Sequence, residues 1–331
     1  MAKRAFLLGG TGQTGRALAP RLLERGWDVV VASRGEREVP PGVAHVRVDR
    51  TETDELRAAL GGGVDVLVDF AAFEPDHADQ LLRLRDLAGS LVVLSSAAVY
   101  FPENEAKWAT LPVPLAERHP TVAAGPATYA SRKRAIEETL LAQDAVPATL
   151  IRAGAIHGPH STWAREWHFV KRILDGRRVV VLAQRGESRF HPISVHNLAE
   201  LVWLAAEHPG RRVLNAGDPG PPTLLEIERA TAAVLEHEWA EVLIDDAVDG
   251  VGETVWSAPR PVVLELTEAE FEVGYRPVTT YERALPETVA WLVEATRDRD
   301  WRDVLPRTAE LMAESFDYEA EDRFLAALTG G

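Results

Sequence analysis

Three residues of this chain could together move a proton. Tyr129 and Lys133 stand four apart in Y-A-S-R-K, and Ser96 closes the pair Ser95-Ser96 in the upstream stretch S-S-A-A-V-Y. On a helix, residues four apart share a face, so Lys133 lies beside Tyr129 one turn on. A free phenol has a pKa near 10, and acid or base work close to neutrality needs a drop of roughly 2 to 3 units, or about 3 to 4 kcal/mol. A neighbouring ammonium could supply much of it. Ser96, at a strand end, would hold a carbonyl or hydroxyl oxygen while Tyr129 moves its proton.

The elements that must position this chemistry begin at the N-terminus. Lys3 to Gly15 reads K-R-A-F-L-L-G-G-T-G-Q-T-G, a short apolar strand over 5–8 that empties into Gly9, Gly12 and Gly15. A helix then starts near Gln13. Strand, tight turn and helix place a pyrophosphate on free backbone N–H groups at a positive helix end. Glycines are needed there to turn, to let phosphate approach the backbone and to let helix and strand touch. The second strand, expected over 27–32, ends at Ser33 and Arg34 with Arg37 close behind. In many dinucleotide sites that strand ends in an acidic residue whose charge repels a 2′-phosphate. A hydroxyl and a guanidinium fork would accept one, so NADP(H) is favoured and NAD(H) is the alternative. An ordinary loop cation at Arg34 remains open. Asp49 could accept the adenine amino group or be a plain turn aspartate. Phe70, Ala71 and Ala72 end a strand with small residues where ribose and pyrophosphate would pass.

Strands and helices alternate through the first half, with further strands over 43–48, 64–70, 91–95 and 148–152. Helices are expected over 53–60, 76–87 and 127–141. This order predicts an α/β, Rossmann-like doubly wound parallel sheet, with the ligand at the carboxyl ends of its strands. A polar excursion over 101–126 interrupts it. From 158 the rhythm changes, giving a dinucleotide domain over 1–157 and a smaller mixed α/β substrate lobe over 158–331 that could return elements to the sheet. Its helices are expected over 162–174, 198–207, 224–236 and 283–295, its strand over 179–182, and an acidic helical cap over 302–328.

Composition narrows the function. The 331 residues include 36 basic and 51 acidic side chains, a formal charge of −15, which repels a phosphate backbone and argues against nucleic acid. There is no cysteine, so disulfides, thiolate zinc sites and cysteine nucleophiles are excluded. His157, His160, His168, His191 and His196 cluster in sequence, but their spacing suits no metal motif. No apolar run approaches the roughly 18 residues of a bilayer span, and a cytoplasmic protein is expected.

The chain resembles the extended short-chain dehydrogenase/reductases, the NAD(P)-dependent epimerase/dehydratase family. The resemblance rests on G-G-T-G-Q-T-G (from Gly9), S-S-A-A-V-Y (from Ser95), Y-A-S-R-K (from Tyr129), R-A-G-A-I-H-G-P (from Arg152) and R-F-H-P-I-S-V-H-N-L-A (from Arg189). It implies Ser96, Tyr129 and Lys133 as the catalytic set. The cofactor-binding positions it implies beyond the glycines are Thr11, Gln13, Thr14, Arg50 and Ser95, with Ala153 and Ile156 further on and Tyr129 and Lys133 shared with catalysis. Members often dimerise through the Tyr/Lys helix and the helix before it, so a homodimer is expected. Where the dehydratases carry an Asp-Glu pair, this chain has Ala97 and Ala98, which disfavours elimination. Ala153, Gly154 and Ala155 replace an asparagine that several nucleotide-sugar enzymes use. Arg189 matches an arginine that family epimerases use on substrate phosphate, so a phosphate-bearing substrate stays open. Ala97, Arg189 and the aromatics Trp163 and Trp167, taken to share one helix face, are candidate substrate contacts.

The expected function is interconversion of a secondary alcohol and a ketone on a sugar or small biosynthetic intermediate. The alternative is a nucleotide-sugar epimerase with tightly bound NAD. A third reading is a non-catalytic cofactor-sensing or RNA-binding relative, against which the intact Ser96, Tyr129 and Lys133 and the negative charge both argue.

Overall fold

The structure, a computed structural model, describes residues 2–103, 108 and 110–329; residues 104–107 and 109 of the polar excursion lie outside the described residues. The chain divides into two compact units. The first comprises Met1–Ile156, Ile193–Asp218 and Leu264–Thr279, and the second His157–Pro192, Pro219–Val263 and Thr280–Gly331.

The first unit is built on seven strands: β1 (Arg4–Leu8), β2 (Asp28–Ser33), β3 (Ala44–Arg47), β4 (Val66–Asp69), β5 (Leu91–Ser96), β6 (Ala148–Ala153) and β7 (Arg212–Ala216). They pair in the order β7-β6-β5-β4-β1-β2-β3, parallel throughout. Continuous apolar strands suit such a sheet because successive side chains point to opposite faces and both faces are covered. Leu7, Val31 and Val68 pack on one face with Leu18 and Leu22 of the helix Gln13–Glu24 and with Leu198 and Val202 of the helix Val195–Glu207. Phe6, Val30, Leu67 and Val93 pack on the other with Leu56, Leu60, Leu81, Ile136 and Leu140. The edge strand β3 is the most exposed of the first six, as its A-H-V-R sequence requires. β7 and the helix Val195–Glu207 come from beyond residue 158 and complete this unit.

The second unit carries the helices Trp167–Leu174, Leu224–Val234 and Tyr281–Thr296 and a parallel pair of strands, Val179–Leu182 and Ala240–Leu243. Two expectations are corrected here. The helix expected from 162 begins only at Trp167, because the preceding backbone is committed elsewhere: Ala164 N–H donates to Thr308 Oγ1 (2.9 Å) and the Thr162 carbonyl accepts from Thr308 N–H (3.1 Å). Trp163 therefore precedes the helix and shares no helical face with Trp167. The helix expected over 302–328 is broken into Trp301–Val304, Pro306–Met312 and Glu319–Thr329, with a short 3-10 turn, Ala313–Phe316, between the last two. Pro306 has no N–H and forces Leu305 out of the helical region (φ −121°, ψ 60°). Within this segment buried Glu321 receives Arg172 (2.6 Å) and Arg177 (2.7 Å). Among the described residues no helix is long and apolar enough to cross a membrane.

Candidate active site

At the tip of β1 the chain turns through Gly9 (φ +78°), whose N–H donates to the Ala32 carbonyl at the end of β2 (2.9 Å). A Cβ on Gly15 would stand 2.4 Å from the Gly10 carbonyl oxygen, so only glycine lets the helix lie this close to the turn. A Cβ on Gly12 would sit 3.2 Å from the Gly9 carbonyl, and the Arg37 guanidinium lies 4.0 Å from that point. Gly12 is the N-cap of the helix Gln13–Glu24, which has no side-chain cap and no acidic residue in its first turn. A bare, positively polarised helix end behind a glycine cradle fits a dinucleotide pyrophosphate. Thr11 and Thr14 are buried in the cradle's base and Gln13 opens the helix. Gly10, unassigned by the sequence reading, is as restricted: its Cβ would stand 2.8 Å from that of Leu7.

Beyond β2 and β3 lies a cleft of about 430 Å³ lined by Arg34, Glu36, Arg47, Val48, Asp49 and Glu55. Ser33 Oγ meets His45 Nε2 (2.9 Å), and exposed Arg34 pairs with Glu36 (2.9 Å). Asp49 accepts the Thr51 N–H (2.9 Å) and hydroxyl (2.8 Å), which hold its carboxyl below the usual range, with Arg34 and Arg50 adding to the effect. Arg50 is engaged with β4: its Nη1 reaches both oxygens of buried Asp69 (3.1 and 3.0 Å) and its Nη2 the Gln80 side chain (3.0 Å). Asp69 also accepts the Ala71 N–H (2.7 Å), which fixes the turn through Phe70, Ala71 and Ala72.

The candidate catalytic residues lie on β5 and the helix Tyr129–Leu141. A capping box, Thr128 with Ser131, starts that helix and makes Tyr129 its first residue. Tyr129 is 43% exposed and Lys133, one turn on, is 1% exposed. The Lys133 ammonium donates to two carbonyls, Ala72 after β4 (2.5 Å) and Leu94 in β5 (2.8 Å). It lies 5.7 Å from the Tyr129 ring centre and 4.6 Å from that of Phe73. Burial pushes its pKa from 10.5 to about 8; Asp69 and Glu137 pull the other way and Arg50 adds to the drop. The two serines of β5 point apart, as alternate strand positions must. Ser95 Oγ donates to Glu137 (2.6 Å), whereas Ser96 Oγ accepts the Ala98 N–H (3.2 Å). Ala97 and Ala153 are buried and Ile156 is half-buried.

Beneath these residues runs a closed polar network. Glu137 binds Arg152 through both oxygens (2.9 and 2.7 Å), and Arg152 also donates to Tyr100 Oη (2.8 Å), which in turn donates to Asn215 (2.8 Å). Burial works against the Arg152 charge, but Glu137 outweighs it and holds the guanidinium above its ordinary pKa.

The remaining candidates belong to the second unit. Trp167 is buried, 5.9 Å from Trp301, and Trp163 lies 4.9 Å from Arg165. Arg189 donates to the Pro221 carbonyl. Among the described residues no cluster of His, Asp and Glu could hold a metal ion. Sequence reasoning passed over Phe73, which carries no motif; a large apolar residue just past the Phe70-Ala71-Ala72 turn was its signal.

The model of the NAD dependent epimerase/dehydratase family matches residues 5–217. The chain belongs to this family. Its enzyme class and Rossmann-like fold are those the sequence motifs pointed to. Among solved structures it is similar to the UDP-glucose 4-epimerase of Thermotoga maritima with UDP-glucose, at 18% identity, TM-score 0.68, over 88% of this chain and 99% of that one. The epimerase of Methanothermobacter thermautotrophicus gives 14% identity and TM-score 0.71 over 92% and 94%. The dTDP-glucose 4,6-dehydratase of Bacillus anthracis in complex with NAD gives 19% and 0.69 over 92% and 100%. At these identities the likeness is one of fold. No curated protein sequence matches this chain.

Proposed function

We propose that this chain is an NAD(P)(H)-dependent oxidoreductase that interconverts a secondary alcohol and a ketone on a sugar or small biosynthetic intermediate. The observation that carries this reading is the buried Lys133 ammonium, held by carbonyls one turn from a half-exposed Tyr129, in the unit that also holds the glycine cradle. The glycine turn and the open helix end would hold the pyrophosphate, and Phe70, Ala71 and Ala72 would line its path. The chemistry a dinucleotide supplies here is hydride transfer at its nicotinamide ring. Tyr129 gives its phenolic proton to the carbonyl oxygen in reduction and recovers it from the alcohol in oxidation. The positive charge of Lys133 favours the phenolate at each turnover. Ser96 Oγ takes an N–H as acceptor, which leaves its own O–H to donate to the substrate oxygen.

Ser33, Arg34 and Arg47 at the ends of β2 and β3 support NADP(H): two guanidinium groups and a hydroxyl suit a 2′-phosphate. The second reading is an epimerase that retains NAD, favoured by the likeness of fold to UDP-glucose 4-epimerases. We further propose a homodimer through the helices Asp76–Arg83 and Tyr129–Leu141, checked by light scattering in solution. Denaturing the purified protein and identifying what it releases separates the two chemistries. An empty site that then binds NADPH more tightly than NADH, with turnover on a carbonyl panel that Tyr129→Phe abolishes, supports the exchanging oxidoreductase. Stoichiometric NAD supports the epimerase and overturns the NADP(H) preference. Cofactor binding without turnover on any carbonyl, unaltered by Tyr129→Phe, would overturn both.

A further inference from the structure

Phe73 is a large apolar side chain left 48% exposed beside a buried charge. It follows directly on the Phe70-Ala71-Ala72 turn, and its ring centre lies 4.6 Å from Lys133 Nζ. Its neighbours on either side are engaged. Before it, the Ala72 carbonyl accepts from Lys133 (2.5 Å); after it, Glu74 pairs with Arg132, the helix neighbour of Lys133 (3.3 Å). Across the turn, His77 Nδ1 accepts two N–H groups, from Phe73 (3.0 Å) and Glu74 (3.2 Å). That pattern requires an unprotonated Nδ1, and burial together with Arg50 holds the imidazole pKa below its ordinary value, against the pull of Asp69, Asp76 and Glu74. So many anchors on one short turn fix where the Phe73 ring can be.

We infer that Phe73 is a positioning residue: its ring holds the Lys133 ammonium against the two carbonyls and keeps it charged beside Tyr129. The inference rests on the reading of Lys133 and Tyr129 as a working pair. Its physics is that of a cation over an aromatic face. The negative face of the ring attracts the ammonium and has no such attraction for the neutral amine, and the effect grows where water is excluded. Among the described residues the acceptors of the ammonium are the two carbonyls; Asp69 and Glu137 act on it through space, Arg50 opposes them, and the Tyr129 ring lies 5.7 Å away. Against a burial penalty of this size, the ring contributes to holding the charge.

The test is the titration of Lys133 itself, followed by NMR on the full chain carrying isotopically labelled lysine. The sequence has only Lys3, Lys107 and Lys171 besides, so the signal is assignable by comparison with Lys133→Met. Phe73→Leu keeps apolar bulk and removes the aromatic face. The midpoint expected near pH 8 in the native chain should fall by roughly 0.5–1.5 units in that variant, and Phe73→Trp should hold or raise it. An unmoved or raised midpoint in Phe73→Leu overturns the inference, since a merely structural ring would lower thermal stability and leave the titration in place. If Phe73→Leu does not fold, a midpoint in Phe73→Trp below the native value overturns it equally. The readout needs no substrate. Failure of the oxidoreductase reading appears as absent turnover, whereas failure of this inference appears as an unshifted Lys133.

Discussion

Lys133 and Glu137 sit one turn apart on the same helix and are both buried, yet the structure treats them oppositely. Both oxygens of Glu137 are bonded to Arg152, Ser95 adds a third bond and Arg134 a longer one (3.4 Å), so its charge is fully partnered. Lys133 is given carbonyls and aromatic rings in place of a carboxylate, and its charge is correspondingly harder to keep. A buried charge with a full partner set is scaffold; a buried charge held by dipoles retains a field that can act on a neighbour. The half-exposed Tyr129 is that neighbour.

Tyr129→Phe should have the largest effect on the Lys133 side. Turnover is expected to fall about 100- to 10,000-fold with thermal stability unchanged, because the lost hydroxyl belongs to an exposed side chain. Steady-state kinetics and a melting curve check both halves. On the Glu137 side, Arg152→Met should destabilise the fold by about 3–5 kcal/mol by taking from a buried carboxylate the partner that bonds both its oxygens, with only Arg134 at 3.4 Å and Ser95 left on it. Adding Glu137→Leu should recover most of that loss, measured by urea unfolding of the single and double variants; no recovery would mean that Arg152 matters for something other than the pair.

The third prediction concerns pH. Lys133 titrates at about 8 in the folded chain against 10.5 for an ordinary lysine, so between those values the unfolded chain binds the extra proton. Stability contributed by this group is therefore lowest below pH 8 and rises by about 3 kcal/mol as pH climbs to 10.5. Lys133→Met should lack that rise, and in the native chain turnover should decline above pH 8 as the ammonium is lost. The smallest effect is at the adenosine end. Arg34 is exposed and already paired with Glu36, so Arg34→Ala should reduce the NADPH-over-NADH preference only roughly 3- to 10-fold in fluorescence titrations.

Much of the first unit was legible because its signals are local. Apolar runs such as V-V-V in β2 and V-L-V in β4 can only be buried strands here, and the i, i+4 spacing of Tyr129 and Lys133 is a property of one helix. What the sequence did not reveal depends on partners far along the chain. Arg50 is named from the resemblance as a cofactor-binding position, and its bonds to Asp69 and Gln80 form only when those distant residues fold against it. The stretch before Trp167 has helical periodicity, yet its backbone groups are captured by Thr308. The break at Leu305 has a sequence mark in Pro306, but it stands among acidic, helix-forming residues that continue the helical pattern across it. Phe73 belongs to no motif, and its place beside Lys133 follows only from the meeting of β4, β5 and the Tyr129 helix.

The central claim is that Tyr129 moves a proton under the field of Lys133. Its most direct test follows NADPH consumption across a panel of sugar and small-molecule ketones, comparing the native chain with Tyr129→Phe at matched cofactor occupancy. Turnover is expected in the native chain, with at least a roughly 100-fold loss in the variant and cofactor binding intact. Equal turnover in the two proteins would contradict it.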